Sequence, residues 1–200
     1  MTSFLIFRHA DHDWVGRGIA GRQPDVSLNE RGRRQAQELV QRLEGVHIDA
    51  IVCSPQPRTR QTATPLAEAR GLQIAVHPGI DEVDMGDWQG MTFQQLDAIG
   101  QPWRDWCERR ASAHPPGGEA FTDVPRRAMA ALRELQQAHP EETVLLVSHG
   151  DVIKCIVASC LGMSLNDLER FDVAPTSATR LAMGADWMKL ELLNAQGPLR

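Results

Sequence analysis

The sequence has no apolar run approaching the ~20 residues that a membrane-spanning helix needs, and no charged N-terminal segment leading into a long apolar stretch. A cytoplasmic protein with no membrane partner is expected. A basic excess is missing too: 21 Lys and Arg stand against 26 Asp and Glu, for a formal net charge of -5. No global field therefore invites nucleic acid, and any anion site has to be local. The four cysteines, Cys53, Cys107, Cys155 and Cys160, show no C-x-x-C spacing. Neither a zinc site nor a disulfide framework is indicated, and reduced, buried thiols are the expectation. Repeats and low-complexity tracts are also lacking. What is present, 200 residues with 42% hydrophobic content, suffices for one globular domain over residues 1–200 with a small appended lid.

Short apolar runs alternate with helical patterns along the chain. Phe4-Leu5-Ile6-Phe7, "AIVCS" from Ala50, "LQIAVHPG" from Leu72 and "TVLLVSHG" from Thr143 are too short for helices and read as interior strands of a parallel sheet. Ser27-Leu28-Asn29-Glu30 matches a capping box opening a first crossover helix that Gly45 stops. Further helices are predicted from about Arg58 to Arg70, kinked at Pro65, over "VPRRAMAALRELQQA", and over "DVIKCIVASCLG" up to Gly162. "TRLAMGADWMKLELL" reads as two strands about a Gly-Ala-Asp turn. The pattern predicts an α/β fold: a three-layer αβα sandwich whose mainly parallel sheet carries an antiparallel edge. From about 87 to 119 no strand appears. Short helical pieces with Trp88, Trp103 and Trp106 end in "HPPGG", which reads as a lid insertion over the strand ends. Those tryptophans read as a small core rather than as stacking platforms.

Three of the strands end in chemistry-bearing residues. The first delivers Arg8 and His9, the second is followed by Ser54 and Arg58, and the fourth ends at His149. Parallel strands bring such residues to one edge, where α/β sheets hold their ligands. Two guanidinium groups and two imidazoles at that edge suit a small dianion, because the Arg fork matches phosphate oxygens in bidentate fashion. The helix beginning near Asp151 adds its N-terminal dipole. His12 has no acidic or Cys partner at metal-ligand spacing and reads as a loop residue. Arg17, Arg22 and Arg60 read as solvated.

The motifs resemble those of the histidine phosphatase superfamily, the phosphoglycerate-mutase-like group. The family's R-H-G stands here as Arg8-His9-Ala10, and its S-P-x-x-R-x-x-Q-T-A as Ser54 to Ala63. Its E-x-x-x-G-x-W-x-G is matched by Glu82, Gly86, Trp88 and Gly90, its P-G-G-E by Pro116 to Glu119, and its V-S-H-G by Val147 to Gly150. Ala10 replaces a Gly, so φ there need not be positive. Val15 stands where many members carry Asn, and "GIAGRQPDVSL" departs from the mutases' usual contacts.

The resemblance implies a phosphoric monoester hydrolase acting on a small phosphorylated metabolite, with no cofactor and no metal. His9, Glu82 and His149 are the implied catalytic residues. Arg8, Arg58 and His149 are the implied phosphate ligands. His9 would form a phosphohistidine, and Glu82 would serve as general acid and then as base. Two alternatives stay open: a cofactor-dependent phosphoglycerate-type mutase, which shares the site, and a phosphate-binding or scaffold protein without chemistry. The oligomeric state is also open, a homodimer being one arrangement.

Overall fold

The computed structural model describes residues 1–199. A six-stranded sheet has the order β3-β2-β4-β1-β5-β6, formed by β1 (Thr2–Arg8), β2 (Ala50–Cys53), β3 (Ile74–Val76), β4 (Thr143–Ser148), β5 (Ala178–Met183) and β6 (Met188–Ala195). The β1–β4, β2–β4 and β2–β3 pairs are parallel, and β5 and β6 add the antiparallel edge. Side-chain alternation divides the interior into two layers. Phe4 and Ile6 of β1 join Val144, Leu146 and Leu181 on one face, against α5 (Asp123–Ala138) and α6 (Gly150–Leu161). Leu5 and Phe7 join Ile51, Leu145 and Val147 on the other, against α1 (Glu30–Arg42) and α2 (Pro57–Arg70). Among the described residues no helix is long and apolar enough to cross a membrane.

Local details depart from the sequence reading. The cap of α1 is Asn29, whose side chain accepts from Gly32 N, rather than Ser27, and the helix ends at Arg42, ahead of Gly45. Ser27 forms no box because its hydroxyl accepts from Gln61 instead. The third strand is only three residues long, since Pro78 has no N–H for a ladder and the chain turns into a 3₁₀ segment over Pro78–Ile80. α2 continues through Pro65. Cys53 and Cys155 are buried, but Cys107 is exposed and Cys160 only partly covered, so the expectation of buried thiols fails for Cys107. It lies on α4 (Gln101–Glu108), whose Trp106 takes the buried face.

Between the third and fourth strands the chain forms a 3₁₀ turn at Gly86–Trp88, α3 (Phe93–Ile99), α4 and a 3₁₀ turn at Arg110–Ser112. Trp88 and Trp106 are buried there. Edge-to-face contacts link Trp88 to Trp103 and Trp106, and Trp106 to Phe121, with centroids 5.0–5.9 Å apart. They form the small core expected of them.

The register fixes where the functional residues meet. Arg8 lies opposite Ser148, and Cys53 opposite Val147. His9 N–H donates to Ser148 O (2.9 Å), and Ser54 N–H to Val147 O (3.1 Å). The residues following β1, β2 and β4 are thereby bound to one edge. Because Leu146 is fully buried in a central strand, Leu146→Ala should cost about 2–5 kcal/mol. Urea denaturation should show a lower midpoint with an unchanged slope.

Candidate active site

His9, at the end of β1, is buried, and its Nδ1 lies 2.8 Å from Ala10 O. A carbonyl accepts, so Nδ1 carries the proton and Nε2 keeps its lone pair. Burial, then the charges of Arg58 and Arg8, push the His9 pKa well below the usual imidazole range, so the ring is neutral. Ala10 has no positive φ, as its side chain allows, and its N–H donates to Thr62 Oγ1 (2.9 Å).

His149 is the N-cap of α6 and fully buried. Arg58 Nη2 donates to its Nδ1 (3.2 Å), which places the ring proton on Nε2, where it is donated to Ser54 Oγ (2.7 Å). Burial and then Arg58 hold this imidazole neutral as well. The rings of His9 and His149 are 5.3 Å apart.

Arg58, from the first turn of α2, is entirely buried. Its Nη2 also donates to Gly21 O (2.8 Å), but Nε and Nη1 have no partner. Arg8 spends Nη1 on Val173 O (2.8 Å) and leaves Nε unpartnered. Three buried guanidinium nitrogens without acceptors are costly in a dry interior, and an anion removes that cost. Gly150, the first residue of α6, packs beside Arg8, where a Cβ would make ordinary contact with Nε at 3.4 Å.

Glu82 lies on the loop after the 3₁₀ turn at residue 80. Its Oε2 is 3.4 Å from His149 Nδ1 and 3.7 Å from Arg58 Nη2. Burial raises its pKa to about 7, against the opposing pull of Arg58. His9, Glu82 and His149 offer nitrogen and oxygen atoms within 4.8 Å of one another. In composition this trio suits a metal, but the guanidinium groups of Arg8 and Arg58 disfavour a cation there and favour an anion.

The Glu82 loop is held from behind. Arg22 Nε (2.7 Å) and Arg127 Nη2 (3.1 Å) both donate to the main-chain oxygen of Glu82. Glu119 accepts from both guanidinium groups and from Asp84 N–H. Two close crossings bring Glu119 there: a Cβ on Gly86 would lie 2.1 Å from Pro116 O, and one on Gly118 2.3 Å from Asp84 O. Glycine is required at both. Arg22 is therefore not a solvated side chain as expected; it is bound to Glu119, Asp81 and Asp84. Arg17 and Arg60 are exposed. Arg127 escaped the sequence reading because it sits on the polar side of an amphipathic helix, where solvation is the ordinary expectation. His12 is a loop residue, yet it is buried with its ring 4.8 Å from that of His9, and burial lowers its pKa to about 4. Its spacing from His9 was the available signal.

The arrangement forms a floor whose charge suits an anion, beneath a cleft of about 570 Å³. All five candidate residues, Arg8, His9, Arg58, Glu82 and His149, meet at that floor. If the unpartnered N–H groups bind phosphate, inorganic phosphate at 100 times its Kd should stabilise the native protein by about 2.7 kcal/mol. Arg58→Lys should lose most of the rise in Tm, because an ammonium cannot span two oxygens. Thermal melts with and without phosphate measure this, and an undiminished rise would exclude Arg58 as a ligand.

The profile of the histidine phosphatase superfamily (branch 1) matches residues 4–196. Phosphoserine phosphatase 1 of Hydrogenobacter thermophilus is 34% identical over 174 residues, covering 86% of this chain and 82% of that protein. A probable phosphoglycerate mutase of Cronobacter sakazakii is 30% identical over 186 residues, covering 90% of this chain and 85% of that protein. Among solved structures, a mycobacterial glucosyl-3-phosphoglycerate phosphatase superposes with a TM-score of 0.86 at 31% identity, covering 97% of this chain and 99% of that one.

Proposed function

The chain belongs to the histidine phosphatase superfamily and is a phosphoric monoester hydrolase for small phosphorylated metabolites; from that premise we propose that it works through a phosphohistidine on His9, without a metal. The observation that carries this reading is the fixed tautomer of His9, neutral with a free Nε2, beside unpartnered donors of Arg8 and Arg58.

In the first step Nε2 attacks phosphorus in line, and the bond from phosphorus to the ester oxygen breaks. Glu82, protonated near neutral pH, gives its proton to the departing alkoxide. In the second step the Glu82 carboxylate takes a proton from water, the water oxygen attacks phosphorus, and the P–N bond breaks. Orthophosphate leaves with His9 neutral and Glu82 protonated again. Arg8 and Arg58 take the charge on the non-transferring oxygens, and His149 stands ready to donate from Nδ1 once a dianion raises its proton affinity. Residues 87–119 act as a lid: Phe93, Trp103 and Trp106 overhang the cleft and exclude water from the floor.

A rapid quench with labelled substrate should leave acid-labile, base-stable phosphate on the protein, and His9→Ala should abolish label and turnover. Activity should persist in excess EDTA. Label on another residue, or loss in EDTA restored by Mg²⁺ or Zn²⁺, would overturn this scheme.

Glu82 supplies a second test. Its acid form is needed in the first step, so kcat/KM for an alkyl phosphate should fall as pH rises through about 7, whereas p-nitrophenyl phosphate, whose leaving group needs no proton, should lack that limb. Glu82→Gln should release about one equivalent of nitrophenolate per site in a burst and then turn over slowly, because the second step has lost its base. With the alkyl ester no burst should appear. Equal losses for both esters without a burst would remove Glu82 from the mechanism.

A further inference from the structure

The cleft above the floor is far larger than a phosphate group, and the charges on its walls bear on the alcohol that leaves. Among the described residues it is lined by three cations: Arg8, Arg110 and Lys154. Arg8 belongs to the floor. Arg110, from the 3₁₀ turn after α4, is bound at 2.7 Å to Asp151 and at 2.8 Å to Glu169, and Lys154 of α6 is bound at 3.2 Å to Glu169. Arg110 is further fixed over the rings of Trp106 and Phe121, at 5.7 and 5.4 Å. Both outer cations thus have their charge met by carboxylates, with only the buried Nε of Arg110 left without a partner. Asp172, exposed and also on the cleft wall, leaves carboxylates in excess at this rim. The two other arginines of the early loop add nothing: Arg22 is held by Glu119, Asp81 and Asp84, and Arg17 is not part of the wall.

Another part of the lining is apolar. Phe93 is 41% exposed in the cleft. Its N–H donates to Arg17 O (2.9 Å), and Arg17 N–H in turn to Trp14 O (3.0 Å), so the segments carrying Trp14 and Phe93 run side by side. Ile19 lies on the same wall.

We infer that the preferred substrates are phosphate monoesters of alcohols that carry no net negative charge and present an aromatic or aliphatic face, and that esters bearing a carboxylate or a second phosphate are disfavoured. The rim offers such an anion no free cation, and its acidic excess repels one. An aromatic or aliphatic leaving group gains contact with Trp14 and Phe93, whose burial against it is favourable. This specificity rests on the phosphohydrolase reading above.

Three primary alkyl esters of similar intrinsic reactivity test it: 2-phenylethyl phosphate, glycerol 3-phosphate and 3-phosphoglycerate. The last two differ mainly in a carboxylate. kcat/KM should fall in that order, with roughly a tenfold drop between glycerol 3-phosphate and 3-phosphoglycerate. Glu169→Gln, which leaves Lys154 unpaired, should raise the ratio of 3-phosphoglycerate to glycerol 3-phosphate several-fold. Asp172→Asn, at an exposed position outside the core, should shift that ratio in the same direction. Phe93→Ala should lower the rate with the phenylethyl ester by a larger factor than the rate with glycerol 3-phosphate. The specificity is overturned if 3-phosphoglycerate matches or exceeds glycerol 3-phosphate, or if neither charge variant moves the ratio. Turnover of p-nitrophenyl phosphate, with a trapped phosphohistidine, shows whether the chemistry stands regardless; its absence would overturn that reading and this one together.

Discussion

Two guanidinium groups taken out of water without matching anions are the constraint around which the molecule is organised. Arg58 has no exposed surface and keeps two donors unpartnered, and Arg8 keeps one. An ion that loses its hydration this way costs several kcal/mol unless the protein compensates. Compensation is partial and indirect: Val173 O and Gly21 O accept one bond each, while Glu82 and, for Arg8, Asp151 act through space. Complete pairing would have made a more stable protein with nothing left to bind. The central strands, buried on both faces, supply the hydrophobic stabilisation that lets this deficit persist.

Burial, joined by the charge of the same cations, fixes the protonation of the two histidines beside them. Charge from Arg58 and Arg8 adds to burial in holding His9 and His149 neutral, and an imidazole needs a free lone pair to attack phosphorus. Hydrogen bonds then settle which nitrogen is free. Ala10 O takes the Nδ1 proton of His9. Arg58 on one side and Ser54 on the other leave His149 a single neutral tautomer. Thr62, one turn beyond Arg58, donates to Arg58 O and accepts from Ala10 N–H, so the segment after β2 braces the one after β1. Arg58 and Thr62 thus share one face of α2, and Ser54, just ahead of that helix, holds His149.

Much of this was legible before any coordinates, because it is local. Short apolar runs mark buried strands, the residues immediately after them are carried to one edge, and a parallel register does the rest; Arg8, His9, Arg58 and His149 follow from that logic. What could not be read depends on contacts between distant segments. Arg22 and Arg127 are separated by 105 positions yet grip one carbonyl, and nothing in either neighbourhood distinguishes them from solvated arginines. Arg110 pairs with Asp151 across 41 positions. The shift of the α1 cap from Ser27 to Asn29 has the same origin, since Gln61, far along the chain, engages Ser27 and Leu28 N–H.

How Glu82 is held suits the acid role proposed for it. A carboxyl group that must be protonated near neutral pH cannot be gripped by cations at its own oxygens, because an ion pair would draw its pKa down. Arg22 and Arg127 instead bind the main-chain oxygen of Glu82, so they fix the position of the residue without closing on its acid. Their charge is met by Glu119, which accepts from both. The cations that do act on the carboxyl are Arg58, at 3.7 Å, and more weakly Arg8, and burial outweighs both: the pKa stands at about 7 rather than below the ordinary carboxylate range. In the proposed scheme a bound phosphate would draw on the charge of Arg58 and bring negative charge of its own, and both effects would favour the protonated acid at the first step. Separating the groups that position Glu82 from those that set its proton affinity lets one loop be rigid and titratable together.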